Sequence, residues 1–130
     1  MPWARTGHTY IGYLLGLLLV VQFFLAGWGI ADLGHNADVL DAHRGVGSLM
    51  QLLGLILLIL ALLGRYRGPL LGMTIGLFVF LVLQSVWVHV DASVLRALHA
   101  VGALFIAMTV REIVGFKQQS PRASAADRAA

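Results

Sequence analysis

The chain has 130 residues, of which 59% are hydrophobic and only 12% are charged, and its mean hydropathy is +0.86. This composition excludes an ordinary soluble domain and indicates a protein whose main partner is the lipid bilayer. The formal net charge of +3 is small and gives no indication of a nucleic-acid partner. Because the chain contains no cysteine, disulfide bonds and thiolate metal ligands are excluded.

Four apolar runs each approach the length of about 20 residues that a helix needs to cross the hydrocarbon. The predicted helices cover residues 10–31, 43–63, 70–89 and 94–114. The expected fold class is therefore all-α, an integral membrane four-helix bundle in one domain over residues 1–116. Residues 117–130 are rich in Ala, Ser, Gln and Arg, which predicts a disordered tail.

The basic residues predict the orientation of the chain. One side of the membrane collects the basic residues Arg5, Arg65, Arg67, Arg111, Lys117, Arg122 and Arg128. The opposite side has only Arg44 and Arg96. Since basic residues accumulate on the cytoplasmic side, both termini and the tail are predicted to be cytoplasmic.

Two histidines begin the two even-numbered predicted helices, His43 on the second and His99 on the fourth. An ionisable side chain in a membrane helix indicates a functional site, and antiparallel alternation places both at the extracytoplasmic face. Two imidazoles at one face predict the axial metal ligands of one haem b. The alternative is a pair of interfacial polar groups that bond to loop carbonyls.

Small and flexible residues follow each histidine at helical spacing. Gly47 and Met50 share the face of His43, and Gly102 and Ala103 follow His99. These positions predict shallow apolar walls for a flat plate such as a porphyrin. Ordinary packing of membrane helices also uses glycine, and it explains the same pattern.

An arginine accompanies each histidine, and these are Arg44 and Arg96. The guanidinium group forms a fork for carboxylates, so the pair is predicted to bind the two haem propionates. The alternative is pairing with acidic residues of the same outer layer, which are Asp32, Asp38, Asp41 and Asp91.

Other polar residues interrupt the apolar runs. His89 is an alternative ligand or an interfacial cap, and His8 and His35 are predicted to be structural. Gln22 and Gln84 lie late in the two odd-numbered helices and require partners, either neighbouring helices or a haem or quinone. With the glycines and histidines, they make the two halves of the chain a faint repeat.

The pair His43–Arg44 at the start of an even helix, with His99 at the start of the next, resembles one half of haem A synthase. That family has two four-helix halves, each with a histidine pair on its second and fourth helices. The chain also resembles small uncharacterised four-helix bacterial membrane proteins of this plan, which implies the bacterial cytoplasmic membrane. A catalytic glutamate precedes the His-Arg pair by three residues in the synthase, and here that position is Leu40.

These features predict a haem-b protein that transfers electrons or handles haem, with a quinone or membrane redox protein as partner. The alternatives are a cofactor-free accessory subunit of a larger membrane complex and a haem-dependent oxidoreductase; the absent glutamate argues against oxidation of a haem methyl group. A homodimer is a further expectation, through Gly12 and Gly16 or through Gly72 and Gly76, unless these glycines pack inside the monomer.

Overall fold

A computed structural model describes residues 1–32, 35, 37–89 and 93–126, without the side chains of residues 93, 95–97 and 116–126. Within these ranges the chain is helical and has no strand. The helices are α1 (Pro2–Ala31), α2 (Ala37–Leu63), α3 (Pro69–His89) and α4 (Ser93–Ala126). Each contains a stretch long and apolar enough to cross a membrane. The predicted integral membrane four-helix bundle is confirmed.

Two helices, α1 and α2, begin well before their predicted first residues. Helix α1 starts at Pro2, eight residues before the predicted start at residue 10. Proline is well tolerated in the first turn, where its missing N–H has no intrahelical partner. Helix α2 starts at Ala37 with Asp38 in its first turn, where a carboxylate interacts favourably with the helix dipole. His43 is therefore the seventh residue of α2 rather than its first.

The fourth helix begins within one residue of its predicted start and extends to Ala126, beyond the predicted end at Val114. Its membrane-spanning stretch is Leu98–Gly115. Residues 127–130 lie outside the described residues. The division of the chain into a membrane domain and a disordered tail at residue 117 stays a prediction.

The helices form a closed square. Each helix packs against the next, and α4 returns to pack against α1, whereas the described main chains of the diagonal pairs, α1 with α3 and α2 with α4, stay apart. The centre is filled by apolar side chains that include Leu15, Leu53, Leu57, Leu77, Leu81, Ile106, Val110 and Ile113. Large apolar side chains also cover the outside, as expected for surfaces that face lipid; examples are Leu17, Val20, Phe24, Val101 and Leu104.

A polar cluster joins three elements at the end of the bundle that carries the N-terminus. His8 is fully buried, and its Nε2 lies 3.3 Å from Oγ1 of Thr74. Because the Thr74 hydroxyl donates to a main-chain carbonyl of α3, Nε2 of His8 is the donor. Tyr66 packs edge-on against the His8 ring and under the guanidinium of Arg5. Burial raises the pKa of Tyr66, while Arg5 opposes this shift.

Candidate functional site

His43 and His99 meet across one diagonal of the square. Their ring centroids lie 6.2 Å apart, with an angle of 69° between the ring planes. Each is the seventh residue of its helix, so α2 and α4 present them at the same level. Two imidazoles bound to one metal from opposite sides, with bonds of about 2.0–2.1 Å, have ring centroids roughly 6 Å apart. The observed separation is close to this value and also lies within the range of an ordinary contact between two rings.

The half-buried His43 ring retains unused bonding capacity. The main chain of Gln22 lies close to this ring, but the buried Nδ1 makes no hydrogen bond of normal geometry to any described residue. The Oε1 atom of Gln22 is likewise buried without a described partner. Buried polar atoms without partners are uncommon and costly, so this corner of the bundle holds two polar atoms that are available to a further partner.

The His99 ring is held by Gln84 of α3. Nδ1 of His99 lies 3.3 Å from the main-chain oxygen of Gln84. The Gln84 amide, oriented so that both of its ends find partners, donates to the main-chain oxygen of His99 at 3.0 Å and to its Nδ1 at 2.6 Å. Its Oε1 accepts from the N–H of Ala103 at 3.2 Å. The buried Gln84 amide thus contacts the His99 ring, the carbonyl of His99 and the N–H of Ala103, which lies one helical turn further on.

The glycines beside the two histidines make room for these amides. A Cβ atom at Gly102 would overlap the Gln84 amide and would lie 2.8 Å from Cζ3 of Trp87. A Cβ atom at Gly47 would lie 3.1 Å from Nε2 of Gln22. The space that the sequence analysis assigned to a flat plate therefore holds glutamine side chains in this structure. Within the faint repeat, Gln22 lies beside Gly47 in the first half and Gln84 lies beside Gly102 in the second.

The other residues predicted to form the site lie partly in the core and partly on the surface of the bundle. Met50 is buried in the core, and Ala103 is half-buried on α4. Arg44 forms an ion pair with Asp41 at 2.7 Å, and both side chains are largely exposed. Arg96 lies on α4 one turn before His99, and its side chain is outside the described residues, as is Asp91.

Two other histidines bond locally. Nδ1 of His89 donates to the Ser85 carbonyl of its own helix at 2.6 Å, and Nδ1 of His35 donates to the Asp32 carbonyl at 2.7 Å. The described residues contain no group of three or more His, Cys, Asp or Glu side chains that could hold a metal ion.

One polar link between α2 and α3 was not predicted from the sequence. Nε2 of Gln51 on α2 donates to the Leu81 carbonyl of α3 at 3.1 Å and also to Oγ of Ser85. A glutamine and a serine within apolar helices require partners, and this requirement is the signal in the sequence that could have identified them. The link joins the middle of α2 to α3.

The fold and the site define an integral membrane four-helix bundle with a histidine pair on diagonal helices. The chain belongs to a family of unknown function, DUF6220, whose profile matches residues 22–93. The matched range begins at Gln22, includes His43 and Gln84, and ends before His99. No curated protein and no solved structure matches the chain.

Proposed function

We propose that the protein binds one b-type haem through His43 and His99 near the extracytoplasmic face and serves electron transfer or haem handling. The observation that carries the proposal is the 6.2 Å separation of the two rings, which come from helices whose main chains do not touch. Side chains that face each other inside helix bundles commonly build cofactor sites. The resemblance to one half of haem A synthase supports the same two ligands.

The surrounding residues fit this assignment. A histidine that binds a metal usually donates its other ring N–H to a carbonyl or carboxylate. The main chains of Gln22 and Gln84 lie beside His43 and His99 in equivalent positions and can accept such bonds. Haem held by two histidines supplies a one-electron couple and leaves no open coordination position. Contacts with Gln84 hold the His99 ring in its orientation.

Haem binding requires two side-chain rearrangements. The amides of Gln22 and Gln84 must leave the space beside Gly47 and Gly102. Arg44 must exchange its partner if it is to bind a propionate, and this exchange is inexpensive because exposed ion pairs contribute roughly 0–1 kcal/mol.

One haem at one face cannot carry electrons across roughly 30 Å of hydrocarbon. An electron-transfer role therefore requires a quinone or a membrane redox partner. A haem-dependent oxidoreductase remains a related alternative, although Leu40 stands where the synthase has its glutamate.

A cofactor-free accessory subunit is the second candidate function. It is favoured by the same glutamine amides, because they complete the packing beside the histidines without any cofactor.

Titration of the purified, detergent-solubilised protein with haem distinguishes the two candidates. Haem binding predicts a saturable one-to-one complex whose reduced form has the sharp bands of a bis-histidine haem. Absence of a complex when haem is in excess would refute the proposal and favour the accessory subunit.

We further propose that both termini are cytoplasmic, on the basis of the unequal distribution of basic residues. The absence of native cysteine allows single-cysteine labelling. A membrane-impermeant maleimide is expected to label Asn36→Cys in intact cells and to label Ser120→Cys only after permeabilisation. Labelling of position 120 in intact cells would reverse the orientation and place the histidine pair at the cytoplasmic face.

The two glycine pairs that were predicted as possible homodimer contacts have different surroundings in the structure. Gly12 and Gly16 face Val114 and Val110 of α4, at 3.6 and 3.7 Å from a Cβ atom built at each glycine. A Cβ atom at Gly72 or Gly76 would meet nothing within 4 Å. Small residues four apart on an open face allow two membrane helices to approach closely, so a homodimer would use α3.

If a dimer forms through this face, Gly72→Ile is expected to shift the protein towards monomer, since the larger side chain separates the two α3 helices. The matched control is Gly27→Ile, which replaces another exposed glycine with nothing within 4 Å. Mass measurement in mild detergent over a range of protein concentrations tests this. A wild-type protein that is monomeric throughout, or an equal effect of the two variants, would contradict the α3 interface.

A further inference from the structure

We propose that the Gln84 side chain sets the tautomer of His99 and holds it, in the haem-free protein, in the form that does not bind a metal. The consequence for haem loading rests on the function proposed above. The tautomer itself is a property of the haem-free chain and is tested without haem.

The argument begins with the partners of Nδ1. A neutral imidazole carries one proton, so one ring nitrogen donates and the other accepts. The Gln84 amide donates to Nδ1 at 2.6 Å, which makes Nδ1 the acceptor and leaves the proton on Nε2. Iron requires a ring nitrogen without a proton. In this arrangement Nδ1 is engaged by the amide and Nε2 is protonated, so His99 is not ready to bind a metal.

The same site contains the partner for the other tautomer. The main-chain oxygen of Gln84 lies 3.3 Å from Nδ1 and can only accept. When the amide turns away, Nδ1–H donates to this oxygen and Nε2 becomes free to bind. The change adds no charge, because Nε2 loses one proton to water while Nδ1 gains another. The side chain and the main chain of one residue therefore favour opposite tautomers.

The position of the amide connects this change with access to the site. The amide that contacts Nδ1 is the group that occupies the space beside Gly102, and it also bonds to the main chain at His99 and Ala103. A plate that displaces it from Gly102 removes the donor to Nδ1 in the same movement. Gln84 is thus a positioning residue that couples occupation of the site to the metal-binding tautomer of His99.

Nitrogen-15 NMR of the haem-free protein, labelled at histidine, tests the proposal. The His99 signals are assigned by their loss in His99→Gln. Wild type is expected to show a proton on Nε2, and Gln84→Leu is expected to move it to Nδ1, because the main-chain oxygen then remains as the partner. The matched control, Gln22→Leu, changes the equivalent glutamine beside His43 and should leave the His99 tautomer unchanged.

A proton on Nδ1 in the wild-type protein would overturn the proposal, and this result does not depend on any variant folding. An unchanged tautomer in folded Gln84→Leu would also overturn it. Haem uptake gives a second measurement, in which Gln84→Leu is expected to bind haem several-fold faster than wild type. Equal rates would refute the coupling to loading. Failure of wild type to bind haem would refute the proposed function but leave the tautomer assignment intact.

Discussion

His43→Ala and His99→Ala are each expected to abolish the low-spin spectrum of the haem complex. Each substitution removes one of the two proposed axial ligands, whose rings face each other at 6.2 Å. Loss of one ligand leaves at most a five-coordinate, high-spin haem with weaker binding. Absorption and electron paramagnetic resonance spectra of the reconstituted variants measure this change.

His35→Ala and His89→Ala are the matched controls and should retain the wild-type spectrum. Both side chains are exposed, and each bonds to a main-chain carbonyl close by in sequence. His8 is unsuitable as a control because it is fully buried and bonded to Thr74, so its removal would disturb the bundle. Normal spectra in both ligand variants would contradict the site, and loss of the signal in His89→Ala would transfer the ligand role to that residue.

Gly54→Val is expected to lower the free energy of unfolding by about 1–3 kcal/mol, the usual cost of overpacking a well-packed core. Gly54 lies where α2 meets α3, and a Cβ atom there would be 2.6 Å from Cδ1 of Leu81. A valine would therefore force Leu81 to move or separate the two helices. Unfolding of the detergent-solubilised protein by titration with a denaturing detergent measures the loss.

Gly45→Val provides the control on the same helix. Gly45 is exposed, and a Cβ atom there would meet nothing within 4 Å. The two variants add the same side chain to α2 and differ in what surrounds it. Equal stability of the two proteins would show that the contact between Gly54 and Leu81 does not limit how closely α2 and α3 pack.

The apolar pattern predicted the four helices well but missed the first turns of α1 and α2. A main chain inside hydrocarbon must satisfy its own hydrogen bonds, so runs of about 20 apolar residues become helices in almost any tertiary context. The first turns of α1 and α2 lie outside these runs. Their helical structure depends on Pro2, on Asp38 and on the packing of Ala4 and His8, which hydropathy does not register.

The sequence also predicts that His43 and His99 lie at the same end of the bundle on facing helices. Antiparallel helices place the starts of α2 and α4 at one end, and a square arrangement makes these two helices diagonal. The surroundings do not follow in the same way. Whether Gly47 and Gly102 border open space or a glutamine amide depends on the rotation of α1 and α3 about their axes, and no local pattern specifies that rotation.

The two glycine pairs show the difference between what the sequence determines and what only the tertiary structure determines. Gly12 with Gly16 and Gly72 with Gly76 have the same spacing in equally apolar helices, and the sequence alone treats them alike. The first pair packs against α4, and the second faces outward. Hydropathy, spacing and charge are properties of one segment, so they were sufficient for the all-α class, the four spans and the two candidate ligands. Contacts between helices depend on which faces turn inward, and the folded bundle alone specifies the roles of these glycines and of Gln84.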